Sequence, residues 1–157
     1  MRLKWKQIIM TKQIPLLVSA LLLGACSSSV TIDDIVPAEE VKKPLFLRGD
    51  FSLWDAQPEY QMQRVAPAIY ETKIRFSTPG KAYEFKIADA QWSAGYNCGY
   101  LDEALDKTLE LGLPVQADCN SVYNYFSFTP EEKGWYKVSI NFSRFKKPLV
   151  TVNQVFE

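Results

Sequence analysis

The stretch YETKIRFSTPGKAYEFKI, residues 70–87, decides the architecture. Tyr70, Thr72, Ile74 and Phe76 alternate with Glu71, Lys73 and Arg75, and Tyr83, Phe85 and Ile87 alternate with Glu84 and Lys86. Strand side chains point alternately to two faces, so this period of two predicts two strands, each with one buried face. Between them, Thr78-Pro79-Gly80-Lys81 sets proline and then glycine at the central positions of a type II turn. The pattern predicts a hairpin over residues 68–88.

The same alternation continues outward. Leu45-Phe46-Leu47 reads as a short strand entering Arg48-Gly49-Asp50. Tyr136, Val138, Ile140 and Phe142 alternate with Lys137, Ser139 and Asn141, and Pro148 to Val155 supplies a last strand. Only Leu101, Leu105 and Leu109 stand at helical spacing, which predicts a short surface helix or an inserted loop around 101–111. Short strands separated by turn signals predict an all-β, antiparallel β-sandwich over residues 45–157.

The N-terminus has a different character. Arg2, Lys4, Lys6 and Lys12 form a basic leader ahead of an apolar run, Ile14 to Leu23, too short to span a bilayer. The run ends in Leu23-Gly24-Ala25-Cys26, which resembles the lipobox of bacterial lipoproteins. That resemblance implies a signal peptide over 1–25, starting at Met1 or Met10, cleaved before Cys26. It also implies a diacylglycerol on the Cys26 sulfur and an acyl group on the new amino terminus. Three chains at about 0.8 kcal/mol per buried methylene make a firm membrane anchor. Ser27 after the cysteine implies sorting to the outer membrane. Residues 26–44, rich in serine, charge and proline, read as a flexible lipidated tether with a reach of roughly 20–25 Å. Its Asp33-Asp34 and Glu39-Glu40 pairs read as solvated tether charges.

Removing residues 1–25 takes away four basic residues and no acidic one, leaving 14 basic against 18 acidic in 132 residues. That length suits one domain, and the negative balance argues against nucleic acid as a partner. The chain has no histidine, which excludes Ser-His-Asp and Cys-His catalysis and the usual zinc ligand sets. No cofactor or metal is called for. With Cys26 lipidated, Cys98 and Cys119 remain, and in an oxidising periplasm they read as a structural disulfide.

LFLRGDFSLW (45–54) and YEFKIADAQW (83–92) together resemble the glycogen- and starch-binding modules of the early-set, immunoglobulin-like type, similar to carbohydrate-binding family 48 and to pullulanase-associated modules. The elements that match are Gly49, Phe51 and Trp54, then Tyr83, Phe85, Lys86, Asp89 and Trp92, with Gly134-Trp135-Tyr136 and Pro148 to Val152 as closing strands. The resemblance spans about residues 45–152. It implies an immunoglobulin-like sandwich and a non-catalytic glycan site in which Trp54 and Trp92 form a sugar platform beside Lys86. A pyranose presents an apolar face of C–H groups that packs on an indole, and alternation turns Lys86 away from Tyr83, Phe85 and Ile87. Asn97 adds a candidate polar contact. Ser52-Leu53 departs from the polar or glycine residues more usual before that tryptophan.

The Arg48-Gly49-Asp50 triplet reads as strand-to-turn chemistry, and Asp102, Glu103 and Asp106 as a polar helix face. Nothing sets two carboxylates across one cleft, so the expectation is not an enzyme. Two functions follow. One is a lipoprotein binding an α-glucan or related glycan near an envelope enzyme or porin. The other is a structural or protein-interaction module of the cell envelope with no glycan binding.

Overall fold

A computed structural model describes residues 41–144 and 146–156. The expected signal peptide, Cys26 and the expected tether up to residue 40 lie outside the described residues. Ten strands are described: β1 (Phe46–Gly49), β2 (Gln63–Ala66), β3 (Ile69–Phe76), β4 (Tyr83–Ala88), β5 (Asn97–Tyr100), β6 (Thr108–Leu109), β7 (Val115–Asp118), β8 (Phe126–Phe128), β9 (Gly134–Asn141) and β10 (Leu149–Val155), with one short α-helix, α1 (Glu103–Asp106), and 3-10 turns at Asp50–Ser52 and Pro58–Tyr60.

They form the antiparallel immunoglobulin-like sandwich expected from the sequence. One sheet runs β2-β3-β9-β10-β7; the other joins β1, β5 and β8 to β4, with β6 added in parallel on β8. The sheets meet where Gly99 and Tyr100 of β5 pair with Asp118 and Ala117 of β7. Between them, Leu47, Phe85, Ile87, Phe126 and Phe128 face Ile74, Phe76, Tyr136, Val138, Ile140, Val150 and Val152, all buried. Phe76 is central, with ring centroids 4.5 Å from Tyr83, 5.4 Å from Tyr136 and 5.6 Å from Phe128.

The hairpin expected over 68–88 is corrected. The turn is present, with Lys81 N–H donating to Thr78 O and Gly80 at φ +75°. Yet β3 pairs with β2 and β9, and β4 with β1, β5 and β8. The connection crosses between sheets. Both strands press their apolar faces into one core from opposite sides, so their alternation matches that of a hairpin.

The 101–111 insertion forms the short surface helix expected there, α1, and then β6. Leu109 is buried, but Leu101 and Leu105 are exposed. Asp102 caps the helix by accepting from the N–H groups of Ala104 and Leu105. The buried group is the Asp106 carboxylate, which accepts from Asp102 N at 3.0 Å and from Gln116 N at 2.8 Å. Those bonds satisfy a carboxylate that burial would otherwise penalise.

Candidate functional site

Three chain segments converge on the outer face of the β4 sheet, and each is fixed by a local device. The first is the turn after β1. Gly49 is required by close approach: a Cβ there would collide with Glu84 O and stand 2.7 Å from a Phe51 ring carbon and 2.9 Å from Phe85 Cβ. Ser52 closes the turn, its hydroxyl donating to Gly49 O and accepting from Gly49 N, both at 3.1 Å. Phe51 anchors it, edge-on to Tyr60 at 5.0 Å. Ser52 is thus the closing group of the turn. We expect Gly49→Ala to lose about 1–3 kcal/mol in urea unfolding, because the clash is with main chain that cannot step aside. An unchanged midpoint would contradict this packing.

The turn then bends into the left-handed region at Leu53 (φ 52°) and Trp54 (φ 62°). Trp92, on the turn after β4, has φ 57°. Each such residue other than glycine costs about 1–3 kcal/mol and persists only where its surroundings over-determine it. Both indole-bearing turns therefore store strain. Leu53 is 81% exposed, Trp92 is 36% exposed and Trp54 is half-buried.

Asp89 organises the second turn. It is buried, its carboxylate accepting from Ser93 N at 2.8 Å and Ser93 Oγ at 2.6 Å, with Lys43 Nζ at 3.4 Å. Burial alone would raise the Asp89 pKa; the bonds from Ser93 and the Lys43 charge reverse that and hold it below its usual value.

Arg48 joins the two turns. The register sets it opposite Lys86, on the face away from Leu47. It is 5% exposed. Its Nε donates to Trp54 O at 2.8 Å, and its Nη1 to Asp89 O at 2.7 Å and Ala90 O at 3.2 Å. The guanidinium carbon lies 3.6 Å from the Trp92 ring centroid, covering one face of that indole. Trp54 and Trp92 thus belong to turns held by a single side chain.

The third segment, Cys119 to Tyr125, lies on the sheet. A disulfide from Cys119 to Cys98 holds one end. Gly99 of β5 makes room for it: a Cβ there would overlap Asn124 O, and Asn124 Nδ2 donates to Tyr100 O at 2.9 Å. At its tip Val122 and Tyr123 are 67% and 88% exposed.

This segment corrects the expectation for Lys86. Alternation does put Lys86 on the face opposite Phe85, but that face is covered. Lys86 is 4% exposed, and its ammonium donates to Ser121 O at 2.8 Å and Val122 O at 3.3 Å, so it clamps the loop and is not free for sugar hydroxyls. Burial lowers its pKa to about 8, with the Asp118 charge opposing. The unfolded chain therefore binds more protons than the folded one between about pH 8 and pH 10.5, so stability from this group rises with pH across that window. The expected result is a melting temperature of the protein, relative to Lys86→Met, that climbs from about pH 7 to pH 10. A constant difference would contradict the buried ammonium.

Asn97 is also beneath the surface. It is 6% exposed on β5, paired with Ala88, and its Oδ1 has no hydrogen-bond partner among the described residues. It shares the outer face with Lys86 by strand parity, leaving an acceptor for a water or hydroxyl group. Tyr123 went unread in the sequence, and Arg48 was read only as part of a strand-to-turn triplet. The available signal for Arg48 was a basic residue between apolar ones, the same pattern as Lys86 on its partner strand. Among the described residues no group of three acidic or cysteine side chains could hold a metal ion.

No protein-family model matches the chain, and no curated protein matches it. Among solved structures, the ligand-induced structure of AmyP-SBD aligns over 95% of this chain and 97% of its own, with a TM-score of 0.53 and 19% identity. At that identity the likeness is one of architecture: the chain has the β-sandwich fold of that domain.

Proposed function

We propose that the protein binds a neutral α-glucan of the glycogen or starch type, or a related glycan, without transforming it. The observation that carries this reading is the pair of strained, partly exposed indoles at Trp54 and Trp92, held together by Arg48. Strain and exposed aromatic area both cost stability, and a ligand that stacks on the rings accounts for them. The floor charges of Arg48, Lys86 and Asp89 are buried and internally engaged, and Asp55 is exposed beside Trp54. Asp55 disfavours an anion, Lys43 is engaged by Asp89 and Ser93, and Gln91, Asn120 and Tyr123, exposed on the second turn and the loop, are neutral, a set suited to an uncharged saccharide. AmyP-SBD, a starch-binding domain, offers the same architecture as a precedent. An affinity in the range of about −8 to −4 kcal/mol, micromolar to millimolar, fits so open a surface.

In this reading Cys26 carries the lipid, and the domain displays its site from the bacterial envelope, at the outer membrane. Affinity electrophoresis of the protein through gels containing glycogen, starch or pullulan tests the binding, and migration identical to a non-binding control in all three would remove the glycan reading. A second reading has its own observation: Leu101, Leu105, Leu111 and Leu113 are all exposed around the α1 insertion. Such apolar area suits a protein partner, an envelope enzyme or porin. Crosslinking in intact envelopes would recover that partner; its absence beside positive gel retardation would leave the glycan reading alone.

A further inference from the structure

We infer that Arg48 is the positioning residue of the site, locking two separate turns into one binding surface and thereby selecting ligands long enough to touch both. The ligand half of this inference rests on the glycan reading above; the conformational half rests on geometry alone.

The geometry is specific to arginine. The acceptors are main-chain carbonyls on two turns: Trp54 O on one side, Asp89 O and Ala90 O on the other. A planar guanidinium offers donors in a fixed fork, so one group spans both turns, whereas an ammonium is a point charge on a flexible stem. The same plane stacks on Trp92 at 3.6 Å, which arginine favours and which fixes the ring's orientation. One face of that indole is consequently occupied by protein, and a sugar can stack only on the other. Burial draws the guanidinium pKa below its usual value, with Asp55 and Asp89 opposing, but arginine remains charged throughout the working range.

The turns themselves need such a clamp. Trp54 and Trp92 both sit in the left-handed region, which tryptophan does not choose unaided. Without the fork each turn is free to relax separately, and the spacing of the rings ceases to be defined. A ligand spanning both indoles would then bear the cost of ordering them, while one touching a single ring would not.

The test uses the full chain with Trp5→Phe and Trp135→Phe, so that only Trp54 and Trp92 report. Arg48→Met keeps the stem length and removes the fork; Arg48→Lys keeps the charge and loses the span. In folded variants, near-ultraviolet circular dichroism of the indoles should fall and acrylamide quenching should rise about twofold, since the stacked cation no longer shields Trp92. Affinity for maltoheptaose should drop about tenfold and that for maltose less than about threefold. Lysine should rescue neither measurement.

Indole spectra and quenching unchanged from the parent in either folded variant would overturn the inference. So would equal loss for the long and short saccharides, which marks a merely structural role. Should Arg48→Met not fold, Arg48→Lys decides alone. If the parent binds neither saccharide, the glycan reading fails and the spectra still decide whether Arg48 holds the rings.

Discussion

Trp92→Ala should reduce retention by glycogen or starch about 30-fold while leaving the sandwich folded. The size follows from the area at stake. Trp92 is 36% exposed, which for a side chain of about 250 Å² leaves roughly 90 Å² for a sugar face to cover. At about 25 cal/mol per Å² that is close to 2 kcal/mol, or about 30-fold in affinity. A ligand that starts in the micromolar to millimolar range is thereby pushed to the edge of detection in a gel. Trp54→Ala should act in the same direction, and the double variant should run with the control. Trp92→Phe should restore part of the loss, since a smaller ring still offers an apolar face. The fold should survive because the indole lies outside the core, although its removal strips Arg48 of a stacked partner. A folded Trp92→Ala protein retained like the parent would exclude this ring from the site, whatever the ligand.

The sequence disclosed faces better than neighbours. Alternation located β3 and β9, which bury every second residue, and β4, whose outward residues alternate in chemistry although most of them are covered as well. It could not say that β3 and β4 belong to opposite sheets, since pairing is a property of two strands and the period belongs to one. Asn97-Cys98-Gly99-Tyr100 escaped notice as a strand because three of its four residues are buried, which leaves no alternation to read. The same limit governs the site. The motifs singled out Trp54 and Trp92 as candidates, and the structure sets them on turns joined by Arg48. The loop over Lys86 was not legible, because it depends on Gly99, a residue from a different strand, having no side chain where Asn124 lies. Nor was Arg48, whose bonds reach carbonyls 41 and 42 residues along the chain, while its immediate neighbours suggest only a turn. The helical spacing of Leu101, Leu105 and Leu109 did mark a short surface helix, but that helix is held by capping and a buried carboxylate, which the leucine spacing does not reveal.

Loss of the Cys98–Cys119 bridge should lower the stability of the domain substantially. Closing a chain across a separation of 21 residues removes about 3 kcal/mol of entropy from the unfolded state in the chain-entropy description. For a domain of this size, Cys98→Ala with Cys119→Ala should lower the melting temperature by about 10–15 °C. Reductant should produce the same drop in the parent and none in the variant, which separates the bond from the packing of its sulfurs. The effect should also reach the outer face. Cys119 fixes the start of the segment whose Ser121 and Val122 carbonyls hold the Lys86 ammonium. Freed at that end, the segment should lift, Lys86 should gain solvent, and its pKa should return toward 10.5. The rise in stability with pH assigned to Lys86 should therefore flatten in the cysteine-free protein. A variant that melts within about 3 °C of the parent would show that Asn124, Gly99 and the Lys86 clamp seat the loop unaided, and that the bridge adds little to the fold.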